Sequence, residues 1–245
     1  MNRLYRKSGL RFAILWIFIY MAGTSLGEAL SEITGLFKLF PALCHTAMAG
    51  FLLVWLKRNG LFETYGLFLP RYRLASAWFF LPLLLIALFP VFFSPATRHS
   101  PLENTLFIIS MLCVGILEEL IFRGFLFRAM EKDSLTRAII ISSVTFGIGH
   151  IVNLFSGQDL ATTLVQILFA TGVGFTLVIL FHKGGSLIPC IIFHSLNNAF
   201  SVFANEKAQA QALGGKTAAL ILPAAAALIL MIVYSIRIWR HLNKS

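Results

Sequence analysis

The sequence predicts an all-α fold, a polytopic transmembrane helical bundle of about eight spans with its N- and C-termini in the cytoplasm. Composition is the first reason, because 58% of the 245 residues are apolar and only 12% are charged, whereas an average soluble domain is about 25% charged. The second is a series of apolar runs near the ~20 residues that a bilayer requires. The third is the distribution of Lys and Arg among the loops. We predict one integral-membrane domain over residues 1–245, with a motif-bearing core at about 105–204.

The apolar runs give the expected spans in chain order. Their predicted limits are 11–28, 38–56, 74–94, 105–127, 136–155, 160–181, 185–204 and 217–237. The first run follows a basic N-terminus, as a signal peptide does, but it is long for one and lacks a convincing A-x-A site, so we predict a retained span. Residues 60–72 are aromatic but interrupted by Gly66 and Pro70, which predicts a segment in the cytoplasmic interface. Residues 205–216 are predicted to be a polar outer loop, and the last span to serve packing.

The net charge of +10 does not indicate a nucleic-acid-binding protein. The basic residues are spread over short loops and are not gathered on one element, as binding to nucleic acid would require. If the N-terminus is cytoplasmic, most of the 20 Lys and Arg residues fall in cytoplasmic segments, which satisfies the positive-inside rule. The lipid bilayer is therefore an expected partner. The compact length and the lack of a targeting tail favour a bacterial cell membrane, most simply the inner membrane.

Several polar or reactive side chains in the spans are expected to serve packing only. Cys44, Cys113 and Cys190 lie in apolar runs and no CxxC occurs, so disulfides and cysteine metal ligands are not predicted. Apart from the adjacent Cys44 and Thr46, His45 has no polar residue near it at helical spacing. We therefore predict that it is a packed histidine.

The span at 105–127 ends in two carboxylates and a guanidinium: Glu118, Glu119 and Arg123. Each such charge costs roughly 3 kcal/mol in the bilayer core, and residues of this kind are functional by default. Glu119 and Arg123 are i and i+4 on one helix face, with the acid N-terminal, which predicts an ion pair. Glu118 points about 100° away and has no local cation, so it is the candidate general base for water. A purely structural ion-paired cluster that locks helices together is the alternative.

Two further spans carry histidine clusters. In the first, Phe146 lies one turn before His150 and Asn153 follows at i+3; Gly147 and Gly149 are expected to admit a neighbouring helix. In the second, His194 is followed by Asn197 and, on its own face, by Asn198 at i+4. Each cluster alone fits interhelical hydrogen bonding, but the combination with the Glu-Glu-Arg helix makes purely structural roles a poor explanation. Helix rise places Glu118 and His194 at similar depth and His150 somewhat deeper, and we expect all three to share one water-accessible hollow near the midplane.

These three clusters together resemble the motifs of the CPBP family, the CAAX proteases and bacteriocin-processing enzymes, also called the Abi family. The family pattern is E-E-x-x-x-R, F-x-x-x-H and H-x-x-x-N or D, and the chain shows all three in that order between Glu118 and Asn198. The resemblance implies an all-helical intramembrane glutamate protease without a metal or other cofactor, acting on a membrane-anchored protein or peptide. The spans before the motifs lie largely outside the match, so the substrate is not implied.

The resemblance also implies a role for each motif residue. Glu118 would activate the attacking water with help from His150, and His194 and Asn198 would stabilise the oxyanion. Glu119 and Arg123 would support the site structurally. From their places beside the histidines we also predict Phe146, Asn153 and Asn197 as supporting residues.

Three other functions are compatible with the same residues. A zinc protease would use Glu118, His150 and His194 as ligands, although the H-E-x-x-H motif is absent. A non-catalytic membrane scaffold or immunity protein of the same family would keep the pocket without the chemistry. A transporter would use Glu118 as a proton relay, but the inverted repeats typical of such proteins are not evident.

Overall fold

The computed structural model describes residues 1–70 and 80–242, and within these ranges the chain is helical with no strand. The predicted all-α fold is therefore confirmed. The α-helices in chain order are α1 (Asn2–Lys7), α2 (Gly9–Thr34), α3 (Leu39–Arg58), α4 (Leu81–Leu88), α5 (Pro101–Glu118), α6 (Arg128–Met130), α7 (Leu135–Gly149), α8 (Leu160–Gly184), α9 (Ile188–Phe200), α10 (Glu206–Leu213) and α11 (Lys216–His241). A π-helical segment, Glu119–Phe127, joins α5 to α6, and 3-10 turns occupy Phe89–Val91, His150–Ser156 and Ser201–Phe203.

Six helical stretches in the described residues are long and apolar enough to cross a membrane, which makes this a multi-pass membrane protein. Their bounds are Gly9–Thr34, Leu39–Arg58, Pro101–Met130, Leu135–Ser156, Leu160–Gly184 and Lys216–His241. The other two predicted spans correspond to shorter apolar stretches, Leu81–Val91 and Ile188–Phe203. Residues 74–79 of the predicted span 74–94 lie outside the described residues. The second stretch is shortened because Gly185 ends α8 in a left-handed conformation and Pro189 stands in the first turn of α9. The cytoplasmic location of both termini stays a prediction.

Two boundaries differ from the sequence prediction outside the spans. The basic N-terminus forms its own short helix, α1, because Ser8 then caps α2 by accepting a hydrogen bond from the Arg11 amide. The predicted polar loop at 205–216 contains α10 instead, since Asn205 caps it and Gly214 ends it in a left-handed conformation.

The helix that carries the glutamates is packed closely against α9 at one small residue. A Cβ atom on Gly115 would lie 2.6 Å from the backbone nitrogen and 2.8 Å from the Cα of Ser195. Glycine thus lets the two backbones approach, as in other membrane helix pairs. Ser195 completes the contact by donating a hydrogen bond of 3.0 Å to the carbonyl of Leu112. The crossing places His194, the neighbour of Ser195, beside the end of α5.

Glycines also allow α7 and α8 to pack together. A Cβ on Gly147 would lie 2.9 Å from the Ile167 carbonyl, and one on Gly174 would lie 2.9 Å from the Cα of Ser143. The predicted close approach at Gly147 is therefore confirmed. The same prediction for Gly149 is wrong, because an added Cβ there would meet nothing within 4 Å.

The predicted interfacial segment is folded onto the helices over its described residues 60–70, while its residues 71 and 72 lie outside the described residues. Its location in the membrane interface stays a prediction. Tyr65 is buried, its hydroxyl donates to Tyr5 at 3.1 Å, and its ring meets Phe125 edge-on at 5.0 Å. Burial, together with the bond to Tyr5, raises the pKa of Tyr65 far above its ordinary value. The carbonyl of Gly66 accepts a hydrogen bond of 2.8 Å from the Leu187 amide. This segment thereby fixes the start of α9, which carries His194.

Candidate active site

The two glutamates lie where the helix changes from α to π geometry. Glu118 is the last residue of α5 and Glu119 the first of the π segment, whereas the sequence predicts one continuous α-helix. Widening a helix to π geometry disturbs its regular hydrogen bonds, and such segments are frequent at functional sites. The buried hydroxyl of Ser142 on α7 donates a hydrogen bond of 2.8 Å to the carbonyl of Phe122. A neighbouring helix therefore supplies a donor that the π segment needs.

The predicted ion pair between Glu119 and Arg123 is confirmed. Arg123 Nη1 lies 3.0 Å from Glu119 Oε1, and both side chains are fully buried. The guanidinium also stands over the ring of Phe146, 4.1 Å from its centroid, in a cation–π contact. A buried pair of this kind stabilises a structure only while both partners are present.

Phe146 lies at the centre of the three motifs. Its ring meets those of Phe122, His150 and His194 edge-on, with centroid distances of 5.4, 5.5 and 5.5 Å. Together with the contact to Arg123, these packings bring the Glu-Glu-Arg helix, α7 and α9 to one point. The structure therefore places Phe146, predicted as a supporting residue, between the two imidazoles.

The imidazole of His194 lies between both carboxylates. Its Nδ1 is 2.8 Å from Glu119 Oε1 and its Nε2 is 3.2 Å from Glu118 Oε2. The Glu119 contact fixes the orientation of the ring, in the way that a carboxylate orients a functional imidazole in many sites. Nε2 is thus the nitrogen that faces Glu118.

A residue that sequence reasoning did not select completes the surroundings of Glu118. The Tyr20 hydroxyl on α2 donates a hydrogen bond of 2.7 Å to Glu118 Oε1. The two residues are 98 positions apart, so no helical spacing could connect them. The only sequence signal would have been a hydroxyl in the middle of an otherwise apolar span.

His150 joins the site from a different kind of backbone than predicted. It ends α7 and begins the 3-10 turn His150–Ser156 instead of continuing a helix. Its ring interacts electrostatically with Glu118, His194 and Arg123. The tighter turn therefore still leaves the imidazole near both other motifs.

The three asparagines of the motifs have separate surroundings. Asn153 donates a hydrogen bond of 2.8 Å to Gln166 on α8. This bond ties Asn153 to that helix and not to the glutamates. Asn197 Nδ2 lies 3.4 Å from Asn198 Oδ1. With its oxygen accepting this bond, Asn198 presents its amide nitrogen as a donor.

Exposure increases from the ion pair outward. Glu119 and Arg123 are 0% exposed, His194 4% and Glu118 8%, whereas His150 and Asn198 are half-buried. Water can therefore reach Glu118 more readily than Glu119. This gradient distinguishes the two adjacent carboxylates by their surroundings alone.

His45 is buried as predicted, but it is not without polar partners. Its Nε2 lies 2.9 Å from Thr24 Oγ1, and its Nδ1 lies 2.9 Å from Ser110 Oγ. Both partners come from other helices, which is why spacing along α3 did not reveal them.

Glu118, His150 and His194 are the side chains that a zinc site would use as ligands. Among residues 1–70 and 80–242, no group of three His, Cys, Asp or Glu side chains is placed to hold a metal ion. Both nitrogens of His194 already face carboxylates. Glu118, His150 and His194 thus do not form the three-ligand arrangement that a zinc site requires.

One family model matches the chain, and it covers the part that carries these motifs. The model of type II CAAX prenyl endopeptidase Rce1-like proteins matches residues 100–200, less than half of the chain. This match confirms the resemblance to the CPBP family. No curated protein and no solved structure matches this chain. The family match supports a membrane endopeptidase in general, with a membrane-associated peptide as its substrate.

Proposed function

We propose that this protein is an intramembrane endopeptidase in which Glu118 activates water to hydrolyse a peptide bond of a membrane-anchored protein or peptide. The observation that carries the proposal is the different surroundings of the two adjacent glutamates. Glu119 is fully buried against Arg123. Glu118 retains some exposure, and among the described residues it lies within hydrogen-bond or ion-pair distance of Tyr20 and His194. A carboxylate that has access to water and no arginine partner in the described part of the chain is suited to act as a general base.

The proposed reaction uses only groups of this chain. Glu118 takes a proton from water, helped by His150, and the resulting hydroxide attacks the scissile carbonyl carbon. The amide nitrogen of Asn198 donates to the oxyanion that forms, and so does Nε2 of His194 when the ring is an imidazolium, because the Nδ1–H is directed at Glu119. One such donor in a dry site contributes about 3 kcal/mol. When the tetrahedral intermediate collapses, the C–N bond breaks and Glu118 returns its proton to the leaving amine.

An apolar groove next to the site supports a lipid-bearing or strongly apolar substrate. It has a volume of about 590 Å³ and lies between α4 and α9, with a lining that includes Ile192, Phe193 and Leu196. Phe193 adjoins His194 in the chain, so the groove and the imidazole share one helix. We propose that the groove receives the apolar part of the substrate, and the matched family makes a prenylated C-terminal peptide the first candidate.

The direct test is cleavage of such a peptide by the purified protein in proteoliposomes. A quenched-fluorescent farnesylated peptide that ends in a CAAX sequence would be the probe, and peptides without the prenyl group and with a plain transmembrane helix would extend the substrate range. We expect the wild type to cleave at least one of them and Glu118→Gln to lose activity at least ~100-fold. Glu32→Gln on α2, at an exposed position, is the matched control.

The same assay distinguishes a zinc protease from a glutamate protease. Under the glutamate mechanism, activity survives chelation, and elemental analysis of the active protein finds less than one metal ion per chain. Loss of activity on chelation with recovery on adding Zn²⁺ would replace our proposal by the metal mechanism. The non-catalytic alternative would be favoured if no peptide is cleaved and if alanine at Glu118, His150 and Asn198 spares the cellular phenotype.

A further inference from the structure

Asn153 is a motif residue whose hydrogen bond leads away from the glutamates, to a glutamine in an apolar span. The side-chain amide of Asn153 donates to Oε1 of Gln166 on α8 at 2.8 Å, and that of Gln158 donates to the same oxygen at 2.9 Å. We call these three half-buried residues the amide cluster. The proposed reaction does not use it, yet a polar side chain in a membrane span is costly and calls for a reason.

The amide cluster ties down an unusually long 3-10 turn. The turn His150–Ser156 has seven residues, whereas runs of 3-10 geometry longer than about 3–4 residues are uncommon because their hydrogen bonds are poor. The backbone amide of Gln158 donates to the carbonyl of Asn153 at 3.1 Å, and the side chains of both residues donate to Gln166. The turn is therefore held to α8 from outside.

The point of attachment is fixed by the crossing of α7 with α8. A Cβ atom on Gly147 would lie 2.9 Å from the carbonyl of Ile167, and Gln166 is the residue before Ile167. In a 3-10 turn, residues i and i+3 lie on the same side, so Asn153 follows His150 on one face, roughly 6 Å further along the axis. Holding Asn153 therefore holds the face of the turn that carries the imidazole.

We propose that Gln166 is a positioning residue for His150: through the amide cluster it holds the 3-10 turn to α8 and so keeps the imidazole in the site. In the described part of the chain, the His150 ring packs edge-on against Phe146 at 5.5 Å and no hydrogen bond orients it. Its place therefore depends on the backbone that carries it. The inference rests on the proposed function for its effect on catalysis, while the state of the turn can be measured without substrate.

The amide cluster uses Gln166 only as an acceptor, which supplies a sharp pair of variants. One oxygen receives both donors, and only the oxygen of a side-chain amide accepts. Gln166→Leu removes the acceptor, whereas Gln166→Glu keeps an acceptor oxygen whether its carboxyl group is charged or neutral. The matched control is Gln209→Leu, because Gln209 also joins two helices, donating to the carbonyl of Ala219 on α11 at 2.8 Å.

Two measurements without substrate report on the turn and on the imidazole. Hydrogen exchange with mass spectrometry follows the backbone amides of residues 150–158, and diethylpyrocarbonate modification follows access to the His150 ring. In Gln166→Leu we expect exchange in this segment to become about tenfold faster, since two hydrogen bonds are lost. Modification of the half-buried His150 ring should become roughly threefold faster. Gln166→Glu and Gln209→Leu should match the wild type in both measurements.

Cleavage of the farnesylated peptide tests whether Gln166 acts through His150. We expect Gln166→Leu to lower kcat about tenfold with little change in KM, because misplacing a group that assists the reaction affects chemistry more than binding. In a His150→Ala background the same substitution should lower kcat no further, whereas general damage to the structure would lower it in both backgrounds. If Gln166→Leu does not fold, Gln158→Leu replaces it, because it removes one of the two bonds from a residue outside the helices.

The outcomes separate this proposal from the proposed function. Faster exchange and faster His150 modification in Gln166→Leu, both absent from Gln166→Glu and Gln209→Leu, support the positioning role; if the wild type then cleaves no peptide, the proposed function alone fails. Unchanged exchange or unchanged His150 modification in Gln166→Leu overturns the positioning role and leaves the proposed function standing. The absence of rescue in Gln166→Glu, or an equal loss of kcat with and without His150, also overturns it. If His150→Ala has no measurable activity, the two measurements without substrate decide.

Discussion

Glu118 and Glu119 are adjacent in the chain, yet their side chains enter different surroundings. Glu119 contacts Arg123 and His194, whereas Glu118 contacts Tyr20 and His194. The pairing of Glu119 with Arg123 was predictable because it depends on four positions within one helix. The contact of Glu118 with Tyr20 was not, because a long-range contact depends on how α2 packs and leaves no period in the sequence.

Removing the guanidinium should show what the buried pair contributes. Arg123→Leu replaces the guanidinium side chain by a shorter apolar one and leaves Glu119 buried without its cation, which typically costs about 3–5 kcal/mol. We expect a large loss of thermal stability in detergent. Arg98→Leu is the control, because its pair with Glu206 is exposed and 3.2 Å long, and exposed pairs contribute less than about 1 kcal/mol. Equal melting temperatures for wild type and Arg123→Leu would show that the pair is not structural.

At the scale of elements, the site depends on where one helix crosses another and on where helical geometry changes. The long apolar helices were predictable from length and composition alone. The π segment after Glu118 and the 3-10 turn at His150 were not, since both are local departures from α geometry that tertiary contacts such as Ser142 to Phe122 maintain. The three motifs meet in space despite these departures, because Phe146 contacts Arg123, His150 and His194.

The crossing of α5 with α9 can be tested at Gly115. An added methyl group would meet backbone atoms of Ser195 at 2.6–2.8 Å, so Gly115→Ala must push the helices apart. Overpacking of this kind typically costs about 1–3 kcal/mol, and the shift should separate His194 from both glutamates. We expect lower stability and a lower kcat, measured by melting and by the peptide assay.

Gly50→Ala on α3 is the matched control for that change. A methyl group at Gly50 meets nothing within 4 Å, and alanine is the better helix former by up to about 1 kcal/mol. Gly50→Ala should therefore keep activity and stability. If Gly115→Ala behaves in the same way, the crossing does not position the imidazole.

At the scale of the whole molecule, the groove between α4 and α9 is the place that we propose for the apolar part of the substrate. Ile192 lines this groove and is 53% exposed, so Ile192→Trp should fill it. We expect a higher KM for the farnesylated peptide with little change in kcat, because binding is affected and the chemistry is not. The control is Ile229→Trp on α11, at an isoleucine that is 64% exposed, which should leave both constants unchanged. If Ile192→Trp leaves KM unchanged, the groove does not bind the apolar part of the substrate.

The overall architecture could be predicted from the sequence only in part. The multi-pass helical bundle follows from composition, but the expected span at 185–204 is shorter than a crossing helix, and the one at 74–94 is described only from residue 80. Hydropathy does not record where Gly185 and Pro189 interrupt a run. The prediction that both termini are cytoplasmic rests on the basic residues of the loops, and fusions of a periplasm-dependent reporter to each end would check it.

We propose that the two neighbouring carboxylates have different roles: Glu118 activates water, and Glu119 supports the structure of the site. The most direct measurement compares purified Glu118→Gln and Glu119→Gln for melting temperature and for peptide cleavage. We expect that Glu118→Gln melts like the wild type but is inactive, and that Glu119→Gln loses stability because Arg123 is left buried without its partner. Cleavage retained by a folded Glu118→Gln protein would contradict this proposal.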